Sequence, residues 1–201
     1  MMNAERVDGR TLRYQHRRPE LLAAATEYVL DHGFGDVSLR PIAHALGVTH
    51  ATLLRHFSSK DELLLQVLEK IHADFQEQLR TDAELRAADS TAAFVRIVWR
   101  RLCEPREQRQ FVLLFELVGR TARDPDRGGR LVQSIINDWL LPVEERLGQE
   151  GWPPDEASTM STLVLAQVRG LQLDLIMTRD RDRVDRAFES TVDLVARPRV
   201  R

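Results

Sequence analysis

Apolar residues return every three or four positions along almost the whole chain and never alternate over a useful length. That period places side chains on one face of a helix, whereas a half-buried strand needs a period of two. A chain with only the helical period must build its core by packing helix on helix, so the sequence predicts an all-α fold of about nine helices. Punctuation residues set the expected ends. Pro19 and Glu20 open a first helix carrying Leu21, Leu22, Ala25, Tyr28 and Val29, and Gly33 stops it. Ser38 caps a second helix that tolerates Pro41 in its first turn, buries Leu39, Ile42, Ala43 and Leu46, and ends at Gly47. Thr49 caps a very short third helix through His56, which Phe57 closes. Ser59-Lys60-Asp61-Glu62 is a capping box that opens a fourth helix keeping period to about Leu79.

Residues 81–90 read as a polar break. Phe94, Val95, Val98, Trp99 and Leu102 make the next helix, ended by Pro105, and Phe111, Leu114, Phe115, Leu117 and Val118 another, ended near Asp124-Pro125. Leu131 to Leu147 carries Pro142 inside it, so a kink or break is expected there. After the loop Gly151-Trp152-Pro153-Pro154, Asp155 or Ser158 caps a helix running to about Met177. Asp180 begins the last, through Ala187, Phe188, Val192 and Val195.

Composition narrows the function classes. At 43% hydrophobic but only 6% aromatic, the 201 residues can form an aliphatic core in one large or two small domains. Cys103 is the sole cysteine, which excludes a disulfide framework and a cysteine-rich zinc site. No run of 18 apolar residues occurs, and the N-terminus has no apolar segment of the secretory kind, so the expectation is a cytoplasmic protein with no membrane partner. The net charge is −2, yet residues 1–60 carry eight Lys and Arg against six acids while the rest carry 21 against 25. A weakly basic head on an acidic body hints at an anionic partner for the head.

Residues 38–57, SLRPIAHALGVTHATLLRHF, have the build of a helix-turn-helix. Ala43 stands where the two helices cross and must be small, Gly47 can take the left-handed backbone of the turn, and Val48 plugs the gap between helices. Thr49, His50, Thr52 and Arg55 remain for the outer face of the second helix. These are short or flexible hydrogen-bonding side chains, the kind a helix needs at its N-terminal end to enter a major groove. Spacing alone leaves open a plain helical hairpin with a polar outer face.

The stretch from about Pro19 to Glu69 resembles the DNA-binding domain of the TetR (tetracycline-repressor) family of bacterial transcription regulators. The resemblance rests on Gly33-Phe34, on Ser38 followed by Ile42-Ala43, on the Gly47-Val48 turn, and on Thr52-Leu53-Leu54-Arg55-His56-Phe57-Ser58-Ser59-Lys60-Asp61-Glu62-Leu63. One departure stands out: Leu54 occupies the position of the family's usual tyrosine, so that hydroxyl contact to a phosphate is missing. The resemblance implies that Arg40, His50 and Thr52 read bases and that Thr49, His56 and Lys60 lie near phosphates. Lys60 has a physical reason of its own, since the first turn of a helix already favours an anion. His56 has a second reading as a packing histidine at the helix junction. His32 and His44 read as solvated surface residues. Arg10, Arg13, Arg17 and Arg18 belong either to a minor-groove arm or to a disordered tail.

The same resemblance implies a flexible arm over residues 1–18, a DNA-binding domain over 19–69 whose last helix continues to about 79, and a dimerisation and effector-binding domain over 80–201. Val168-Arg169-Gly170-Leu171-Gln172-Leu173-Asp174-Leu175 looks like the family's dimerisation helix. Leu163, Val164, Gly170, Leu171 and Leu175, with Phe188 of the last helix, are the candidate interface residues, because apolar residues there cover more than one helix face. Phe94, Trp99, Phe111, Phe115, Trp139 and Met160 are candidate pocket residues, each with an ordinary core role as the alternative, and Glu116 and Asn137 are the candidate polar groups. No metal or cofactor is expected. The function implied is a homodimeric repressor, not an enzyme, released from a near-palindromic operator by a small-molecule effector. The rival readings are a helical enzyme, for which no nucleophile elbow or phosphate-binding loop appears, and a helical adaptor without DNA contact.

Overall fold

The computed structural model describes the backbone of residues 9–33, 38–124, 126 and 128–196, and side chains from Arg17 onward. Phe34, Pro125 and the side chains of Arg10 and Arg13 lie outside the described residues. The chain forms two compact units, residues 1–73 and 74–201. Every regular element among the described residues is a helix.

The first unit holds α1 (Gly9–His32), α2 (Leu39–Ala45), α3 (His50–Phe57) and most of α4 (Lys60–Thr81), whose residues 74–81 belong to the second unit. The expected start of α1 at Pro19 is corrected: the helix begins at Gly9 and Pro19 lies inside it. Proline removes one N–H from the ladder and crowds one carbonyl, but the neighbouring turns continue and Arg18, next to it, is fixed by contacts outside the helix. Leu21, Ala25, Val29, Ile42, Ala43, Leu53, Phe57, Leu63 and Val67 make the core of this unit.

The link between α2 and α3 is a Schellman turn. Gly47 N–H donates to the His44 carbonyl at 3.1 Å and Val48 N–H to the Ala43 carbonyl at 2.9 Å, with Gly47 at φ +63°. Ser38 stands at the N-cap of α2 but makes no side-chain bond there, whereas Thr49 Oγ1 accepts from Thr52 N–H at 3.1 Å and caps α3.

In the second unit follow α5 (Ala83–Ala87), α6 (Thr91–Leu102), α7 (Pro105–Thr121), α8 (Gly129–Gln149), α9 (Pro154–Thr178) and α10 (Arg181–Ala196). The polar break expected at 81–90 contains α5, a short helix capped by Asp82, whose carboxylate accepts from Glu84 and Leu85 N–H at 2.8 and 3.3 Å. Pro142 does not break α8, because Val143 and Leu147 anchor the next turn in the core. The N-cap of α9 is Pro153 rather than Asp155 or Ser158, and Asp155 and Glu156 fall in its first turn, where acids suit the helix dipole. The core gathers on Trp99, which stacks on Phe188 at 4.7 Å while its indole N–H donates to Asp185 at 2.7 Å.

Helix α9 carries two apolar stripes. Ala157, Ser161, Val164, Val168, Gln172 and Leu175 are buried in the unit, while Leu163, Ala166, Gly170, Leu173 and Met177 are exposed. At about 100° per residue the two sets lie on roughly opposite sides of the helix.

The glycine at the α2–α3 turn gives a test. A Cβ at Gly47 meets nothing within 4 Å, so Gly47→Ala carries only the backbone cost of the left-handed conformation, about 1–2 kcal/mol. Urea unfolding of the first unit should show that loss, with Gly47→Asn losing less; equal stability of Ala and Gly would contradict the turn.

Candidate nucleic-acid interface

The second helix of the hairpin presents its N-terminal end to solvent. Thr49 caps α3, His50 and Arg55 are exposed, and Thr52 is half-buried with its hydroxyl 2.9 Å from that of Thr49. The two threonines therefore form one polar corner whose hydroxyls share a proton and leave lone pairs for a further donor. Arg40 is exposed in the first turn of α2. On the other face of α3, Leu53 and Phe57 are fully buried, and this one-sided burial decides which residues face out. Lys60 is half-buried at the first position of α4, beside the cap in which Ser59 Oγ accepts from Glu62 N–H at 3.1 Å.

Packing at the helix junction decides the placement of two residues whose readings the sequence leaves open. His56 is 5% exposed, so its imidazole packs at the helix junction rather than facing a phosphate. Its pKa lies below the usual histidine value because burial disfavours the charged ring, with Arg55, Arg17 and Arg18 adding repulsion. Arg18, expected in an arm or tail, is docked instead. Its Nε donates to the His56 carbonyl at 3.1 Å, its guanidinium lies 5.4 Å from the centre of the Phe57 ring, and it pairs with Glu62 at 3.5 Å. Arg18 thus ties α1 to α3 and α4. Its position just before a proline carries no signal of this, because the acceptor is a backbone carbonyl 38 residues away.

This arrangement is matched by known proteins. Residues 21–67 fit the family described as "Bacterial regulatory proteins, tetR family". Over 182 residues the chain is 24% identical to the HTH-type transcriptional regulator CymR of Pseudomonas putida, covering 87% of each protein. The chain carries, over residues 21–67, a DNA-binding domain of the tetR type. It is a DNA-binding transcriptional regulator of the helix-turn-helix type. Over 83 residues, 39% of this chain and 37% of the other, it is 39% identical to the HTH-type transcriptional activator FasR of Mycolicibacterium smegmatis. The fold extends through both units in a solved TetR-family regulator from Cytophaga hutchinsonii, with a TM-score of 0.78, 17% identity, and coverage of 94% of this chain and 98% of that one.

The second unit distributes the expected pocket residues among several environments. Trp99 and Phe111 are buried, Phe94 lies under the Arg146 guanidinium at 4.3 Å, and Trp139 packs 5.5 Å from Phe75. Met160 is half-buried against the core. Phe115 is 45% exposed and rests on Phe111 at 5.3 Å. Glu116 is half-buried, and Asn137 is exposed, accepting from Gln133 Nε2 at 3.0 Å, rather than set in apolar surroundings. Of these eight, Trp99 lines an open cleft of about 560 Å³ with Phe188, Arg96 and Asp185. Among the expected dimer residues, Leu163 and Gly170 are exposed and Leu171 is half-buried, whereas Val164, Leu175 and Phe188 belong to the chain's own core. No group of three or more His, Cys, Asp or Glu suited to a metal occurs among the described residues, and none of their helices is long and apolar enough to cross a membrane.

The buried histidine makes the first unit sensitive to acid. Its folded pKa is below 6.5, so the unfolded chain binds more protons, and the stabilisation present above pH 6.5 is lost as pH falls through the folded value. Urea midpoints should drop between pH 7 and pH 5, and His56→Gln should flatten that slope while leaving the Arg18 bond to the backbone intact. An unchanged slope in the variant would remove His56 as the cause.

Proposed function

We propose that this regulator is a cytoplasmic, non-enzymatic, homodimeric repressor that leaves a near-palindromic operator when a small molecule binds its second unit. DNA contact is assigned to residues 19–69, on a helix continuing to about 79, and effector binding and dimerisation to 80–201. The observation that carries the reading is α3, with its apolar face locked in the core and Thr49, His50 and Thr52 at its open N-terminal end. Arg40, His50 and Thr52 take the base-reading roles, Thr49 and Lys60 position the phosphate backbone, and His56 supports α3 from within.

Dimerisation is supported by the second stripe of α9. Leu163, Ala166, Gly170, Leu173 and Met177 follow the alternating three- and four-residue spacing of a helix-packing seam, yet Leu163 is 46%, Leu173 39% and Met177 75% exposed. On α10, Leu194 is 39% exposed. A two-fold partner presenting the same surface would bury both sets, with Gly170 allowing the helices close approach. Two copies of α3 would then enter successive major grooves about 34–36 Å apart.

Substitution separates the two kinds of DNA contact. Lys60→Ala should weaken binding to all duplexes alike and flatten the salt dependence by about one unit for each phosphate the lysine no longer neutralises. Arg40→Ala should relax specificity at one base pair, at about 1–3 kcal/mol, and leave non-specific affinity nearly unchanged. If the wild-type protein binds no duplex at low salt, the regulator reading falls.

Gly170 tests the seam. A Cβ there meets nothing within 4 Å in the single chain, and leucine is the better helix former by about 0.8 kcal/mol, so Gly170→Leu should fold. Light scattering should give about twice the 23.1 kDa chain mass for wild type and a large monomer fraction for the variant. A variant that dimerises as tightly as wild type would move the interface elsewhere.

A further inference from the structure

We propose that the cleft formed by the end of α4, the start of α5 and the facing ends of α6 and α7 binds a small aromatic molecule carrying a primary ammonium group, with Glu107 receiving the ammonium. The proposal rests on the reading of the second unit as the ligand-binding part and names the ligand class and the site.

The cleft has a volume of about 320 Å³, within the range of small-molecule sites. Phe75 and Leu79 give it an apolar wall, and Asp82, Arg101, Glu104 and Glu107 also line it. Glu107 is 5% exposed, and its Oε2 has no hydrogen-bond partner. Leaving a buried carboxylate oxygen unmet is among the costlier arrangements a fold can keep. Burial raises the pKa of Glu107, with neighbouring Glu104 adding to the rise while its own backbone N–H, Arg106 and Arg109 oppose it.

Among the lining residues three carboxyls stand against one guanidinium, and that guanidinium is engaged, while Arg106 and Arg109 act on Glu107 from outside the lining. Arg101 donates to Asp82 at 2.8 and 3.1 Å and lies 3.5 Å from Glu104 and 3.6 Å from Glu84. A carboxylate or phosphate ligand would add to the excess of negative charge. A neutral donor could meet Oε2 but would leave the excess of carboxyls in the lining unchanged. A primary ammonium supplies both the proton and the charge, and a flat apolar body suits Phe75 and Leu79.

The probes are naphthylmethylamine, a cation at neutral pH, and its neutral isostere naphthylmethanol, titrated calorimetrically into the full chain and into Glu107→Gln. Wild type should bind the amine at least about tenfold more tightly than the alcohol, the scale of one charge-assisted hydrogen bond. The variant, which keeps the size of the side chain and loses its charge, should bind the two alike. No amine binding at millimolar concentration, or a preference that survives in Glu107→Gln, overturns the proposal. Duplex binding at low salt is measured alongside, so that a cleft failure with DNA binding intact is distinct from failure of the regulator reading. Should Glu107→Gln not fold, a crystal structure of wild type with the amine decides: the nitrogen lies within hydrogen-bond distance of Glu107 Oε2, or the site is wrong.

Discussion

A helix of seven or eight residues does not hold together in water by its own hydrogen bonds, and α2 and α3 are that short. Their existence depends on burial of Ile42, Leu53 and Phe57, each inaccessible to solvent, and on α1 and α4 supplying the surface they bury against. The Arg18 contacts add a polar tie at the same place: a guanidinium over Phe57, a bond to the His56 carbonyl and a pair with Glu62 join three helices through one side chain. Such a clamp suits arginine, whose planar fork can stack and donate at once, and lysine would not replace it. Rigidity is the functional result. A helix with the proposed role of presenting His50 and Thr52 to base edges is useful only if its axis is fixed, because a small tilt would misplace every donor and acceptor together.

The second unit meets the opposite demand with α9, a helix of 25 residues long enough to serve two surfaces. Its buried stripe includes Ser161 and Gln172 among aliphatic residues, and the Ser161 hydroxyl is accounted for by Glu144 and the Ser158 carbonyl at 3.1 and 2.9 Å. Its exposed stripe is free of charge: Leu163, Ala166, Gly170, Leu173 and Met177. A solvent-facing stripe of an ordinary surface helix is polar, so the lack of any Lys, Arg, Asp or Glu along this one argues for a second helix against it.

Much of this is legible in the sequence because helix ends are written in local chemistry. Gly33, Gly47, Thr49 and the Ser59 cap all stand at the helix ends that their residue types predict, and the period of the apolar residues locates the core of each helix. Prolines mislead in two places. A proline costs about 3 kcal/mol within a helix, yet both helices continue through theirs, α1 with Leu21, Ala25 and Val29 buried beyond Pro19 and α8 with Val143 and Leu147 buried beyond Pro142. In α9 the periodicity shows too many apolar residues without sorting them, so Val164 and Leu175 read as interface residues although they face the core, while Met177 draws no notice. The 320 Å³ cleft is not legible at all. Its acid, Glu107, sits in the first turn of α7, where a glutamate needs no explanation beyond the helix dipole. Only the folding of α4 and α6 around that turn buries it.

The same cleft shows how a residue's several roles fix a local structure. Burial pushes the Asp82 carboxyl up, yet bonds from Arg101 and from the backbone N–H groups of Leu85 and Glu84 leave it below the usual carboxylate range. Those bonds cap α5 at its start, and Arg146 closes its end by donating to the Leu85 and Ala88 carbonyls at 3.1 and 3.2 Å. A five-residue helix exists here because its own N-cap, Asp82, holds one end and Arg146 of α8 holds the other. Asp82 also anchors Arg101, so the wall of the cleft and the start of α5 share one carboxylate. A ligand cation placed against Glu104 and Glu107 would compete with Arg101 for negative charge and release part of its hold on Glu104, leaving Asp82 as its principal partner. The lining of the cleft and the turn between α4 and α5 thus share the Asp82–Arg101 pair.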